Sequence, residues 1–453
     1  MERTEADILA EWAWLLTGRQ LLLSSLPVEL AADLKATRAS LHQIQIQPAI
    51  SDDGVNSSRI CQRCQSPVPN VNRLPSGQYY CASCLTMGRV TSRDELVHLP
   101  AMTYAKGNTL TWQGELTSAQ CRVSNHILQQ FHRHNRHQQL LWAVTGAGKT
   151  EMTFPVIADF LQQGQRIGFV SPRVDVCNEL FPRVEQAFKN TPVGLFHGQI
   201  HEAYRNEQIV IGTTHQLLRY DKAFDLLIVD EVDAFPYVND AMLQRAVERA
   251  VKPTGLTLFL SATPPRVLLR AAKSDQLPLH YLARRFHGRE LPLPRIELGD
   301  LMHGRHFAPK LQRIFDRLLQ SSRRFLVFVP QIAVLEQLGQ LFEQSYPQVV
   351  VTTVHAADSK RLEKVQRFRD GEAQVLFTTT ILERGVTFAD IDVVVLSADH
   401  RNYSVASLVQ VAGRVGRARE FPNGQVIFYS RYYTNKIRLA RQMIRHLNRE
   451  GGF

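Results

Sequence analysis

The chain has no run of about eighteen uncharged apolar residues, so no segment is expected to cross a membrane as a helix. Its first residues, Met1-Glu2-Arg3-Thr4-Glu5, are mixed in charge, and Gly18-Arg19-Gln20 interrupts the one early apolar stretch. A secretory leader is therefore not expected. No low-complexity run or extended linker stands out. Cysteine is scarce, with six in 453 residues. In a reducing compartment such thiols do not pair as disulfides. Acidic residues are outnumbered, 42 against 53 Lys and Arg, giving a net charge of +11. That balance suits a polyanionic partner and is equally compatible with a basic soluble surface.

Two short segments carry most of the chemistry that is present. Gln139 to Val144 is an apolar run suited to a buried strand, and it leads into Thr145-Gly146-Ala147-Gly148-Lys149-Thr150. Glycines let backbone N–H groups turn onto phosphate oxygens, and a helix starting at Lys149 adds its positive dipole end. Lys149 would reach the outer phosphates of ATP, and Thr150 would hold Mg²⁺. The strict phosphate-loop pattern has Gly where this chain has Ala143. Further on, Phe224 to Val229 reads as a buried parallel strand ending in Asp230-Glu231-Val232-Asp233. Ligands of open α/β sheets bind at such strand ends. Asp230 would complete the Mg²⁺ site, and Glu231 would orient or deprotonate the attacking water.

The strand pattern occurs twice. Apolar strand candidates lie at 139–144, 166–170, 208–212, 225–229 and 256–260, and again at 325–329, 349–354, 375–379, 392–397 and 425–430, with helix-like stretches between them. Strands alternating with helices imply parallel sheets. The second set has no phosphate loop. It carries instead Gln410-Val411-Ala412-Gly413-Arg414-Val415-Gly416-Arg417. Two arginines three apart are expected on one helix face, aimed at a common target. Arg414 and Arg417 would supply the positive charge that stabilises phosphoryl transfer.

Four of the six cysteines form Cys61-x-x-Cys64 and Cys81-x-x-Cys84, separated by sixteen residues. This spacing presents four thiolates to one tetrahedral zinc, and four protein ligands leave no open position for water, so the metal is expected to be structural. Cys121 and Cys177 stand alone and are read as small core or near-core residues. The histidine-rich Phe131 to His137 is read as a helix end and loop, and residues 431–449 as a basic helix.

The ordered motifs resemble superfamily 2 helicases and translocases across about 340 residues, running from Leu116-Thr117-Ser118-Ala119-Gln120 through Arg417. That resemblance implies two RecA-like lobes. It makes Gln120 the adenine reader and adds Gln410 to the nucleotide site. It gives Ser171-Pro172-Arg173 and Gly212-Thr213-Thr214 contacts with a nucleic-acid backbone, joined by Thr379 of the second lobe. Ser261-Ala262-Thr263 would couple hydrolysis to lobe movement. In the segment Glu383-Arg384-Gly385-Val386-Thr387, many family members carry Asp where Thr387 stands.

A four-cysteine module ahead of the phosphate loop narrows the resemblance. With Trp112 to Thr117, Pro172 to Val176, Thr213 to Arg219 and Leu408 to Arg417, the chain is similar to the ComFA family, cytoplasmic ATPases of natural competence. The resemblance implies a single-stranded DNA translocase working beside a membrane DNA-uptake channel, with ComFC as partner. Any association with the inner face of the membrane would go through partners, and homo-oligomers are compatible with it. The alternative is a replication-restart helicase resembling PriA, in which the cysteines lie within the second half of the motor. The expected order is an N-terminal segment (1–55), a four-cysteine zinc module (56–100), an ATP-binding lobe (101–290) and a second lobe (291–453). The irregular, basic stretch 283–310 would form the boundary between lobes.

Overall fold

A computed structural model describes residues 3–52, 59–107, 110–198, 204–321, 323–418, 420–421 and 423–453. The expected boundary between residues 55 and 56 lies outside them. The chain divides into two compact units. One joins Met1–Leu141 with Thr150–His280, and the other joins Trp142–Lys149 with Tyr281–Phe453.

The N-terminal region of the first unit is built from α1 (Glu5–Leu16), β1 (Gln20–Leu22), α2 (Val28–Ala36), β2 (Gln45–Pro48), β3 (Ile50–Asp52), β4 (Arg59–Cys61) and β5 (Glu95–His98). Strand β5 lies between β1 and β2 in an antiparallel sheet, and β3 pairs with β4. Ile8, Leu16, Leu30, Leu34 and Val97 close a small core over that sheet. The region packs against residues 150–280 within the same unit. Arg166 is fully buried and donates to Thr17 O at 3.2 Å and to the Tyr204 hydroxyl. Gln20 Nε2 reaches both Arg63 O and Leu218 O at 3.1 Å.

The chain continues through α3 (Ser118–His134), β6 (Gln138–Ala143), α4 (Lys149–Gln162), β7 (Ile167–Ser171), α5 (Val174–Ala187), β8 (Val193–Phe196), β9 (Ile209–Thr213), β10 (Phe224–Val229), α6 (Ala241–Ala250), β11 (Val251–Ser261), α7 (Arg266–Lys273) and β12 (Leu279–Leu282). The seven strands take the order β12-β6-β11-β10-β7-β9-β8. Strands β11, β10, β7, β9 and β8 pair in parallel. All six residues of β10 are buried, the pattern of a strand covered on both faces, which is why its sequence is a continuous apolar run.

Residues 283–310, expected to be irregular, contain β13 (Arg295–Leu298), β14 (Met302–His303) and β15 (His306–Phe307). Then come α8 (Pro309–Gln320), β16 (Arg324–Phe328), α9 (Ile332–Ser345), β17 (Val351–Val354), α10 (Arg361–Arg369), β18 (Val375–Thr378), β19 (Ile391–Leu396), α11 (Val405–Ala412), β20 (Val426–Ser430) and α12 (Asn435–Glu450). Six parallel strands form the order β13-β20-β19-β16-β18-β17. The charges of Arg295 and Glu297 hid β13 in the sequence; parallel pairing of Arg295 to Leu298 with Ile427 to Ser430 makes it an edge strand. Helix α8 buries Leu311, Ile314, Phe315 and Leu318, spaced to share one helical face. The basic C-terminal helix starts at Asn435 rather than 431, because Arg431 to Thr434 form the turn that leaves β20.

Candidate active site

Strand β6 delivers the chain into the phosphate loop. Gly146 and Gly148 have φ of 81° and 75°, a left-handed region that glycine enters without a Cβ penalty. Ala147 N–H closes the turn onto Val144 O at 3.1 Å. Lys149 opens α4, and its Nζ donates to Ala143 O at 3.3 Å. An anion in this loop meets backbone donors and the positive end of a fourteen-residue helix. Thr150, the next residue, is buried.

At the end of β10, Asp230 N–H donates to Val170 O at 2.8 Å, and Asp230 Oδ1 accepts from Glu231 N–H at 2.8 Å. Glu231 has φ 54°, left-handed for a residue with a side chain. Such conformations cost about 1–3 kcal/mol and collect at functional sites. Two residues on, Asp233 accepts from Ser261 Oγ at 2.6 Å and from Thr263 Oγ1 at 2.5 Å. The end of β11 is thereby tied to the Asp230–Asp233 turn. Sequence reasoning assigned no role to Asp233, although it stands in the same acidic cluster.

Gln120, expected at the nucleotide, is buried at the start of α3. Its amide oxygen accepts from Thr117 N–H at 2.8 Å and from the Thr117 hydroxyl at 3.0 Å, closing a capping box. Among the residues expected to touch a strand, Arg173 is the half-buried N-cap of α5, and Thr379 is half-buried just after β18. Thr213 is buried at the end of β9. Thr214 is wholly enclosed, so its side chain offers no surface to a strand.

The second unit contains the phosphate loop residues Trp142–Lys149 together with the arginine segment. Helix α11 ends at Ala412, so Arg414 and Arg417 do not share a helix face. They sit in the turn beyond it, where Gly416 has φ 66°. Gly413 ends the helix and lies against the phosphate loop: a Cβ there would fall 2.0 Å from Thr145 Oγ1. Gln410 and Arg414 are buried, and Arg414 Nε donates to Glu383 O at 3.0 Å. Arg417 is half-buried, with Nε donating to Gly413 O at 3.3 Å.

The four sulfurs of Cys61, Cys64, Cys81 and Cys84 lie within 4.8 Å of one another, and all four residues are buried. The Cys61–Cys84 and Cys64–Cys81 separations are 3.8 and 3.5 Å. A tetrahedron with metal–sulfur bonds of about 2.3 Å has edges of about 3.8 Å, so the cluster fits one four-coordinate ion. Arg63 Nε donates to Cys84 Sγ at 3.3 Å, offsetting thiolate charge; no sequence signal marked it. The module is fastened to α6. Arg245 Nη2 donates to Ser66 Oγ at 2.8 Å, and Arg249 donates to Gln62 O. Of the two remaining cysteines, Cys177 is buried, whereas Cys121 is exposed on the outer face of α3, against expectation.

Three family models match the chain: the competence protein ComFA N-terminal domain over residues 7–98, the type III restriction enzyme res subunit over 113–266, and the helicase conserved C-terminal domain over 309–419. Solved structures share the fold. Saccharomyces cerevisiae Dbp5 bound to RNA and ADP BeF3 aligns with TM-score 0.54 and 16% identity, over 73% of this chain and 91% of that one. RecG bound to a three-way DNA junction aligns with TM-score 0.55 and 19% identity, over 75% of this chain and 45% of that one. Two parallel-sheet lobes with these motifs define a superfamily 2 helicase-type enzyme that uses ATP. Competence protein ComFA of Streptococcus pneumoniae is 41% identical over 86% of this chain and 91% of its own length. The Bacillus subtilis protein of the same name is 35% identical over 94% and 98%. The chain belongs to the ComFA family of competence proteins. No helix among the described residues is long and apolar enough to cross a membrane.

Proposed function

We propose that this protein is a DNA-stimulated ATPase that moves along single-stranded DNA and drives its uptake in natural transformation. The observation that carries this reading is the match to a competence protein along 94% of the chain, combined with a complete set of hydrolytic residues. Lys149 and the loop N–H groups bind the phosphates, with Thr145 to Gly148 wrapping them. Thr150 and Asp230 are the residues that would hold Mg²⁺, which neutralises phosphate charge when bound. Glu231 orients and deprotonates the attacking water, and its left-handed backbone holds the carboxylate at the turn. Arg414 and Arg417 stabilise charge that develops as the phosphoryl group leaves. Gln120 and Gln410 complete the nucleotide contacts.

In this reading the strand lies against Arg173, Thr213 and Thr379, and the enclosed Thr214 drops out of the contact set. Contacts of this kind grip phosphate and sugar, so base preference is weak. Zinc is the metal that suits four buried thiolates at these separations, and it would fold the module without joining the chemistry. The functional partition is an N-terminal segment, a zinc module and two motor lobes. The protein works in the cytoplasm beside the uptake channel with ComFC as partner. The test is ATP hydrolysis with and without single-stranded DNA, paired with displacement of streptavidin from end-biotinylated strands. DNA-independent hydrolysis without displacement would sink the translocase reading. A PriA-like restart role receives no support from the placement of the four clustered cysteines, Cys61 to Cys84, which precede the phosphate loop.

A further inference from the structure

Arg285 lies outside every motif that marks this family of motors, yet it is 2% exposed. Its Nη1 donates to Val415 O at 2.9 Å and to Gly416 O at 2.6 Å, and its Nη2 donates to Gly413 O at 3.1 Å. One guanidinium therefore holds three carbonyls of the single turn that carries Arg414 and leads to Arg417. His287, two residues on, adds a ring-nitrogen contact to Gly416 O at 2.9 Å. The same segment touches the phosphate loop. Phe286 N–H donates to Gly146 O at 3.1 Å, and a Cβ at Gly146 would lie 3.6–3.7 Å from Arg285 Cγ, Cδ and Nε. All of these residues belong to one compact unit.

Among the described residues no carboxylate pairs with Arg285. Burying a cation against carbonyl dipoles alone is costly. Burial, together with the nearby Arg417 charge, pushes the Arg285 guanidinium down to about 9. A side chain needed only to fill space would do so more cheaply with carbon.

We propose that Arg285 is a positioning residue for hydrolysis: it fixes the Gly413–Gly416 backbone against the phosphate loop and so sets where Arg414 and Arg417 stand. The proposal rests on the reading that those two arginines act on ATP. A planar fork with several donors can span three carbonyls, and a lysine ammonium cannot reproduce that spread.

The experiment compares Arg285→Ala, Arg285→Gln, Arg285→Lys, Arg417→Ala and the Arg285→Ala/Arg417→Ala pair. Nucleotide affinity, kcat and melting temperature are measured for each. Arg285→Ala and Arg285→Lys are expected to lower kcat by about 10²-fold, the scale of a misplaced group, with nucleotide affinity within about threefold of the parent. The double variant is expected to be slower than Arg417→Ala by much less than the loss Arg285→Ala causes alone, because Arg285 acts in part through Arg417. If Arg285→Ala does not fold, Arg285→Gln and Arg285→Lys carry the same comparison. Parent-like kcat in the Arg285 variants alongside a slow Arg417→Ala overturns the proposal and leaves the arginine reading standing. Additive losses in the double variant, or affinity falling in step with kcat, also overturn it. A fully active Arg417→Ala removes the arginine reading, and the proposal with it.

Discussion

The Thr263 hydroxyl donates to the Asp233 carboxylate at 2.5 Å. Ser261 donates to the other oxygen of the same group. The strand end that carries Ser261-Ala262-Thr263 is thus hydrogen-bonded to the turn that carries Asp230 and Glu231. A shift of either is felt by the other, which is what coupling hydrolysis to movement requires.

Thr263→Val keeps the shape of the side chain and removes the donor. A hydrogen bond to a charged group contributes about 1.5–3 kcal/mol. The expected outcome is near-parent nucleotide binding with weakened DNA stimulation of the ATPase, read from hydrolysis rates with and without single-stranded DNA. Full stimulation in Thr263→Val would show that this link does not transmit the DNA signal.

Glu231→Gln should bind ATP and Mg²⁺ but turn over about 10²-fold or more slowly, because general-base catalysis and water positioning have that size. Lys149→Ala should instead weaken nucleotide binding itself. Single-turnover hydrolysis beside an equilibrium binding assay separates the two. Parent-rate hydrolysis by Glu231→Gln would reassign the water-activating residue.

Purified protein should contain zinc, and the Cys61→Ala/Cys64→Ala variant should lose it. Arg245 and Arg249 fasten the module to α6, so metal loss should lower the melting temperature beyond the module itself. Hydrolysis should persist at reduced temperature, since no thiolate enters the chemistry. Elemental analysis without metal would remove the zinc assignment.

Arg173→Ala should lower DNA affinity and stimulation while leaving basal hydrolysis near the parent level. Affinity for single-stranded DNA should fall steeply with salt, because each neutralised phosphate releases condensed counterions. Titrations with single-stranded DNA, duplex and RNA at several salt concentrations check this. Strong stimulation by RNA and none by DNA would point to an RNA motor.

Much of the molecule was legible in its residues. Phosphate chemistry needs glycines, a lysine and a hydroxyl in close succession, which is why Thr145 to Thr150 is expected to be the phosphate loop. The Asp230-Glu231 pair did so because strand β10 is buried on both faces and must be apolar up to its end. The cysteine pairs fixed their own geometry by spacing. What only tertiary structure decided were relations between residues far apart in the chain. The Arg414–Arg417 segment was expected on a helix because arginines three apart share a helix face; packing of Gly413 onto Thr145 and the left-handed Gly416 turn it out of the helix. Strand β13 depends on a partner more than a hundred residues away. Arg285 has no local signature, since its role consists of carbonyls about 130 residues further on. Sequence records which chemistry each segment can offer. Which distant backbone a buried cation must satisfy is settled only when the chain closes on itself.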